Sequence, residues 1–231
     1  MRRDEHDVYD VAQSPPLPAD AAVVIEALSP LVTAARKARL EAVAARRSRA
    51  VVPVLEELTD PHNASAILRS ADAFGVQEVH AVPGEHGLLA AHRVSKGTHR
   101  WLDIVRHRDA ESCVHHLRRR GYDIAVAIMD GELRPEDLRA KERVAVVFGN
   151  EHRGASGRIR ELADATYAVP MSGFAESLNV SVAAAVTLYV ATAGREPDLS
   201  DAERQRLLAS FLMRSVRDAE RVVREHVHGG P

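Results

Sequence analysis

The sequence predicts an α/β protein built on a mostly parallel sheet with helices on both faces. Three observations predict it. Short apolar, β-branched runs at 51–55, 122–129 and 143–148 read as strands. Helical stretches alternate with them, and the order strand, helix, strand over 51–82 is that of a parallel βαβ unit. Polar clusters fall at three strand-to-helix junctions, 63–69, 149–154 and 172–181. Open parallel sheets bind ligands at the C-terminal ends of their strands, so three clusters there point to one site.

The chain has 231 residues, of which 45% are hydrophobic. That is one domain of ordinary α/β size plus extensions. The formal net charge is −2, so no overall basicity announces nucleic acid, but the charge is unevenly spread. Cys113 is the single cysteine, which excludes an intramolecular disulfide and suits a reducing compartment. It sits among charged and His residues of a helical stretch, where a structural role is expected. No apolar h-region follows Met1-Arg2-Arg3. The longest apolar run, 178–193, is interrupted by Asn179, Ser181, Thr187 and Thr192 and is shorter than the ~20 residues of a membrane span. A soluble, cytoplasmic protein is expected.

Residues 1–20 carry Asp4, Glu5, Asp7 and Asp10 and a Pro-rich stretch, and read as a flexible or extended arm. Residues 21–50 form a basic helical extension. Leu31, Ala34, Ala35, Ala38 and Val43 give it an apolar side; Arg36, Lys37, Arg39, Arg46, Arg47 and Arg49 give it a basic one. A basic face is either solvated or tracks phosphate. The core is expected over 51–194. Its first strand, 51–55, leads through Pro61 into a helix with Asn63 as a natural N-cap and Gly75 as a C-terminal stop. Ile67, Ala71 and Phe74 share one face there, and Arg69 stands on a flank. A strand to 82 follows, then a Gly-containing polar loop to 100, of a length that is often functional.

Residues 101–105 read as a short strand and 110–120 as a helix ending at Gly121. The strand 122–129 and a polar connection over 132–141 lead to the clearest strand, 143–148. Gly149-Asn150-Glu151-His152-Arg153-Gly154 follows it as a loop. A helix over 156–163 and a strand over 165–169 come next. Pro170 and Gly173 then open a helix to about 192 that is apolar on nearly every face, from Leu178 to Leu188, and such a helix is normally buried. Ser177, Asn179 and Ser181 mark its start, either as caps or as a grip on a ligand. The C-terminal extension, 195–231, begins with the capping-box pattern Ser200-Asp201-Ala202-Glu203. It continues as a long charged helix to about 226 whose arginines, Arg204 to Arg224, form a second basic face, with Phe211, Leu212, Val216, Val222 and Val223 as packing residues.

No phosphate-binding P-loop, dinucleotide fingerprint, zinc-protease helix, Cys/His zinc spacing or nucleophile elbow is present. The motifs that are present resemble those of the TrmH-type tRNA (guanosine-2′-O)-methyltransferases of the SPOUT superfamily. Asp60-Pro61-His62-Asn63 with Arg69 and Gly75 is the first. Gly149-Asn150-Glu151-His152-Arg153-Gly154 after an apolar strand is the second. Val169-Pro170-Met171 with Ser177-Leu178-Asn179 is the third, and Ser95-Lys96-Gly97-Thr98 before Trp101 is a further local match. The resemblance covers about residues 30–225.

It implies a C-terminal deep trefoil knot, an exception to the usual absence of knots. It implies S-adenosylmethionine bound bent in that knot by Gly149, Val169 and Leu178, with Met171 and Ser177 nearby and Ala127 at the strand end walling the adenine. It implies a homodimer that completes the site, and no metal. Arg69 is implicated in deprotonating the ribose 2′-hydroxyl. A guanidinium normally keeps its proton, so a base made by reorganisation and an electrostatic clamp both stand open. Asn63 is expected to position Arg69 or the ribose, Glu151 to orient loop groups and Asn179, and Asn179 to face cofactor and substrate. The terminal extensions resemble those of enzymes acting on guanosine 18 of the tRNA D-loop, with Arg36, Lys37, Arg39, Arg46 and Arg47 as RNA contacts. Methylation of ribosomal RNA, and an RNA-binding module with secondary catalysis, are the alternatives.

Overall fold

The computed structural model describes residues 11–12, 16–84 and 99–229. Two compact units are distinguished, residues 1–12 with 49–195, and residues 13–48 with 196–231. Seven strands form one sheet: β1 (Val11–Ala12), β2 (Val51–Glu56), β3 (Glu78–Val82), β4 (Asp103–Arg106), β5 (Asp123–Ala127), β6 (Val144–Phe148) and β7 (Ala165–Tyr167). Their order is β1-β4-β3-β2-β6-β5-β7. All neighbours are parallel except β1, which runs antiparallel along β4. The acidic part of the N-terminal arm, and 85–98 of the polar loop with its Ser95–Thr98 motif, lie outside the described residues.

Strand alternation divides the core into two layers. Val51 and Leu55 of β2 and Val144, Val146 and Phe148 of β6 face α3 (Pro61–Ala73) and α6 (Val180–Thr192). Val52, Val54, Ala145 and Val147 face α4 (Ala110–Arg119) and α5 (Gly157–Glu161). Ile67 of α3 and Leu188 of α6 are fully buried in the first layer. Each such side chain contributes about 2 kcal/mol relative to exposure. Among the described residues no helix is long and apolar enough to cross a membrane.

Four expectations are corrected here. Asp60, not Asn63, caps α3, accepting from the His62 N–H at 2.8 Å with Pro61 in the first turn. Pro at N1 places the cap one residue before it, so Asn63 falls inside the first turn and is buried. The helix apolar on every face starts only at Val180, capped by Asn179, and is not buried all round: Val182, Val186 and Tyr189 are exposed. The polar connection 132–141 contains a 3-10 turn that buries Leu138.

The helical unit corrects the fourth. The N-terminal extension is two helices, α1 (Ala21–Leu28) and α2 (Ala34–Ala44), separated by a 3-10 turn at Pro30. Thr33 restarts the helix by capping the Arg36 N–H. The restart shifts the phase, so Leu31, Ala34, Ala35 and Ala38 are exposed while Leu40 and Ala44 are buried. The C-terminal helix likewise divides into α7 (Asp201–Ser215) and α8 (Ala219–His228) at Asp218, whose φ is 53°. The capping box at Ser200 and Glu203 is formed, and α7 and α8 both pack on α1.

Candidate active site

The C-terminal ends of β5, β6 and β7 open into a cleft of about 690 Å³. The strand ends Ala127, Phe148 and Tyr167 line it, with the loop 149–155, the segment from Val169 to Leu178 and Val180, Ala183 and Thr187 of α6. All six positions expected around a cofactor, Ala127, Gly149, Val169, Met171, Ser177 and Leu178, are on this wall.

The loop after β6 is built by Asn150. Its Oδ1 accepts from the His152 and Arg153 N–H groups at 2.9 and 3.1 Å, an Asx turn, and its Nδ2 donates to the Glu57 carbonyl at 2.9 Å. Gly154 closes the turn at φ 69°. A Cβ on Gly149 would stand 2.2 Å from the Ala155 nitrogen, so only glycine lets the loop fold back this closely. Glu57 itself is held at φ 52°, a costly conformation for a residue with a Cβ.

Glu151 turns from this loop toward the start of α3. One oxygen accepts from the Thr59 N–H and hydroxyl at 3.1 and 3.0 Å. The other accepts from the Asp60 N–H at 3.0 Å and from Asn63 Nδ2 at 3.2 Å. Partial burial opposes ionisation, but the hydrogen bonds outweigh it and hold the carboxyl down to about 2. Asn63 Oδ1 accepts from Asn179 Nδ2 at 3.1 Å. Asn179 Oδ1 in turn accepts from the Ser181 N–H and hydroxyl at 2.8 and 2.6 Å. The three polar clusters thus meet in one chain, Glu151–Asn63–Asn179.

The arrangement differs from expectation in two respects. Glu151 does not touch Asn179; it reaches it through Asn63. Asn63 contacts Glu151 and Asn179 rather than Arg69. Arg69 is exposed on α3 and forms no hydrogen bond or ion pair among the described residues. Of the basic residues of the N-terminal extension, Arg36, Arg39 and Arg46 are exposed and Lys37 is partly exposed, but Arg47 is buried at 2%. The second basic face is largely neutralised: Arg204, Arg221 and Arg224 pair with Asp201, Glu225 and Glu220 one turn away.

Sequence reasoning missed two hydroxyls. Tyr167 and Thr187 are buried in the cleft wall, and neither has a hydrogen-bond partner of good geometry. A Tyr at a strand end and a Thr inside an apolar helix carried the only signal. It missed Asn150 as well, although Asn at a strand end before a Gly four residues on is a turn pattern.

The chain is similar to several known proteins. The model of the SpoU rRNA Methylase family matches residues 50–189. A tRNA (guanosine(18)-2′-O)-methyltransferase of Thermus thermophilus is 38% identical over 189 residues, 81% of this chain and 92% of that protein. The crystal structure of the A. aeolicus TrmH/SpoU tRNA modifying enzyme superposes with a TM-score of 0.71 at 30% identity, covering 80% of this chain and 98% of that one. The SpoU methyltransferase AviRb from Streptomyces viridochromogenes, in complex with AdoMet, superposes with a TM-score of 0.57 at 28% identity over 64% of this chain and 60% of that one. By sequence motifs, by the architecture around the cleft and by these likenesses, the chain belongs to the SpoU rRNA Methylase family.

Proposed function

We propose that the protein transfers a methyl group from S-adenosylmethionine to the ribose 2′-hydroxyl of guanosine 18 in the tRNA D-loop. The observation that carries this reading is the meeting of the cleft with the Glu151–Asn63–Asn179 chain at the strand ends. The names of the relatives support tRNA as substrate.

The cleft fits the cofactor. Its wall carries the Tyr167 and Thr187 hydroxyls, which lack hydrogen bonds of good geometry, and the close turn at Gly149 presents backbone rather than side chain. Gly149, Val169 and Leu178 hold it mainly through backbone groups, with Met171, Ser177 and Ala127 against it. The cofactor supplies an electrophilic methyl on a sulfonium. Asn179 is fixed through its Oδ1 by Ser181 and through one Nδ2 hydrogen by Asn63. Its remaining Nδ2 hydrogen is available to the site. Glu151, with four donors on its two oxygens, is an anchor and too weak a base to take the hydroxyl proton. Arg69 acts as a charged clamp on phosphate or on the alkoxide that develops as the methyl transfers, and the hydroxyl proton leaves to solvent water.

Two features support the knot. β7 pairs with β5 on one side, while Leu133 bridges Tyr167 on the other. The connection from β5 to β6 thus passes outside β7 and encloses it. Gly131 lies so close that a Cβ there would meet the Tyr167 carbonyl carbon at 2.2 Å. The exposed apolar residues Val182, Val186 and Tyr189 support a homodimer through the outer face of α6.

The test is methyl transfer from labelled S-adenosylmethionine to unmodified tRNA transcript, with the product ribose mapped and Arg69→Ala run beside wild type. A 2′-O-methylguanosine at position 18, lost in the variant, is the expected result. Labelling of ribosomal RNA alone would overturn the substrate, and absence of transfer to either would overturn the reaction.

A further inference from the structure

On the sheet face opposite the cleft, four residues from three elements converge. His80 points from β3 into the layer that α4 covers, His107 follows β4, and Cys113 and His116 lie one turn apart on α4. His80, His107 and Cys113 are each at most 1% exposed, and one donor atom from each lies within 4.8 Å of the others. The His80 and His107 rings stack at 5.1 Å, and the His116 ring stands 5.2 Å from His107. The geometry points to a zinc-class metal site formed by His80, His107 and the Cys113 thiolate, with the His116 ring beside it.

The hydrogen bonds fix the donor atoms. His80 Nε2 lies 2.9 Å from Glu78 Oε1, and Arg120 holds the same carboxylate. Burial raises the Glu78 pKa, but the hydrogen bonds from His80 and Arg120 bring it well below the usual range. The carboxylate therefore accepts the hydrogen bond of His80 Nε2–H, which leaves the Nδ1 lone pair facing His107. A carboxylate behind an imidazole is the outer-shell arrangement that orients metal-binding histidines. His107 Nε2 donates to His80 Nδ1 at 2.8 Å, and His107 Nδ1 has no hydrogen-bond partner although it is buried.

Metal entry replaces the shared proton. The His107 proton moves from Nε2 to its idle Nδ1, and Cys113 loses its thiol proton to solvent, so about one proton is released per ion. Zn–N bonds of about 2.0–2.1 Å and a Zn–S bond of about 2.3 Å need donors roughly 3.3–3.7 Å apart, which small side-chain rotations reach from the present spacing. Two imidazoles and a thiolate suit Zn²⁺ better than the hard cations. The site is separate from the methyl-transfer cleft and gives that reaction no metal.

The test is titration of the chelator-treated full-length protein with Co²⁺ and then Zn²⁺. The expected result is one Co²⁺ per chain with a thiolate-to-cobalt charge-transfer band, its displacement by Zn²⁺, and about one proton released. Cys113 is the only thiol in the chain, so the band in wild type can come from no other residue. Cys113→Ser should lose it, and His107→Gln should weaken Zn²⁺ about tenfold or more. A folded wild-type protein that binds Co²⁺ without the thiolate band, or does not bind it, overturns the proposal. So does an unchanged Zn²⁺ affinity in both variants.

Discussion

Asn179 Nδ2 donates to Asn63 Oδ1 across 3.1 Å, joining residues 116 positions apart. Asn179 caps α6 and Asn63 lies in the first turn of α3, so one amide pair locks the start of one helix to the start of the other. Glu151 extends the lock to the loop after β6. Each amide uses its oxygen as acceptor and its nitrogen as donor.

Asn63→Ala leaves Asn179 Nδ2 and Glu151 each short of a partner. Asn179 is exposed and Glu151 half-buried, so each lost hydrogen bond costs about 0.5–1.5 kcal/mol. The variant should unfold at a lower temperature and transfer methyl at least about tenfold more slowly, since the site then rests on loosened supports. Asn63→Asp should be worse, because a carboxylate would face the Glu151 carboxylate. Initial rates and thermal melts of both variants decide it; full activity in Asn63→Ala would remove the lock from the mechanism.

Arg69 gives the opposite signature. It is exposed and makes no bond within the described residues, so Arg69→Ala should change stability by less than about 0.5 kcal/mol. As a charged clamp it should still cost about 10²–10³-fold in methyl transfer. Cofactor affinity, measured by calorimetry, should be unchanged, and Arg69→Lys should recover only part of the rate, because an ammonium lacks the planar fork. A drop of several degrees in melting temperature would assign Arg69 a structural role instead.

The strands were legible because β-branched runs such as 144–148 have no polar competitor. The first turn of α3 was harder: Asp60 and Asn63 are both good caps, and Pro61 decides between them only once its place at N1 is applied. For α6 the sequence is apolar on every side, so no periodicity separates the face on β2 and α3 from the face carrying Val182, Val186 and Tyr189. Arg46 and Arg47 are neighbours of one type just past the end of α2, and the turn there exposes one and buries the other. The motifs named the members of the Glu151–Asn63–Asn179 chain, but not which touches which. His80, His107 and Cys113 come from separate elements and carry no spacing signal at all.

Stability should fall in acid over two separable windows. His107 is neutral in the fold, pushed to about 3 mainly by burial, against an ordinary 6.5. The unfolded chain binds that proton first, so stability declines as pH falls from about 6.5 toward 3. Glu151 is held at about 2 against an ordinary 4.5; desolvation opposes this and its hydrogen bonds win. Its contribution is present above about 4.5 and is lost as pH falls toward 2. Urea midpoints against pH, taken with a chelator present, should fall less steeply between 6.5 and 4.5 in His107→Gln, where His80 and His116 still titrate, and less steeply only below 4.5 in Glu151→Gln. The same pH profile in both variants would contradict the assignment.

Arg195 clasps the connection that passes outside β7. Its guanidinium donates to the carbonyls of Leu138 at 3.0 Å, Lys141 at 2.7 Å and Glu142 at 3.1 Å, and to Ala191 at 2.8 Å at the end of α6. Arg139 returns a bond to the Val190 carbonyl at 2.7 Å. Arg195→Ala strips several partly buried carbonyls at once and should cost on the order of 2–3 kcal/mol. Arg195→Lys should restore less than half, since one ammonium cannot span the carbonyls the fork reaches. Chemical denaturation gives the difference directly, and a loss below about 0.5 kcal/mol would mean that packing alone holds the connection.

The arginines of α2 and α7–α8 should separate in RNA binding. On α2 Lys37 faces Glu41 at 3.9 Å, and Arg36 and Arg39 on the helix and Arg46 just past it are exposed. On α7 and α8, Arg204, Arg221 and Arg224 are already matched by acids. Counterion release scales with phosphates neutralised, at a slope of about 0.9 in log K per log salt for each contact in a duplex and about 0.7 on a single strand. Arg39→Glu and Arg46→Glu should therefore each weaken tRNA binding and lower the salt slope by roughly 0.7–0.9. Arg221→Glu should change the slope by much less, and Arg47→Ala should lower the melting temperature and leave the slope alone. Filter binding across a salt series reads all four. Equal slopes for Arg39→Glu and wild type would move the RNA away from α2.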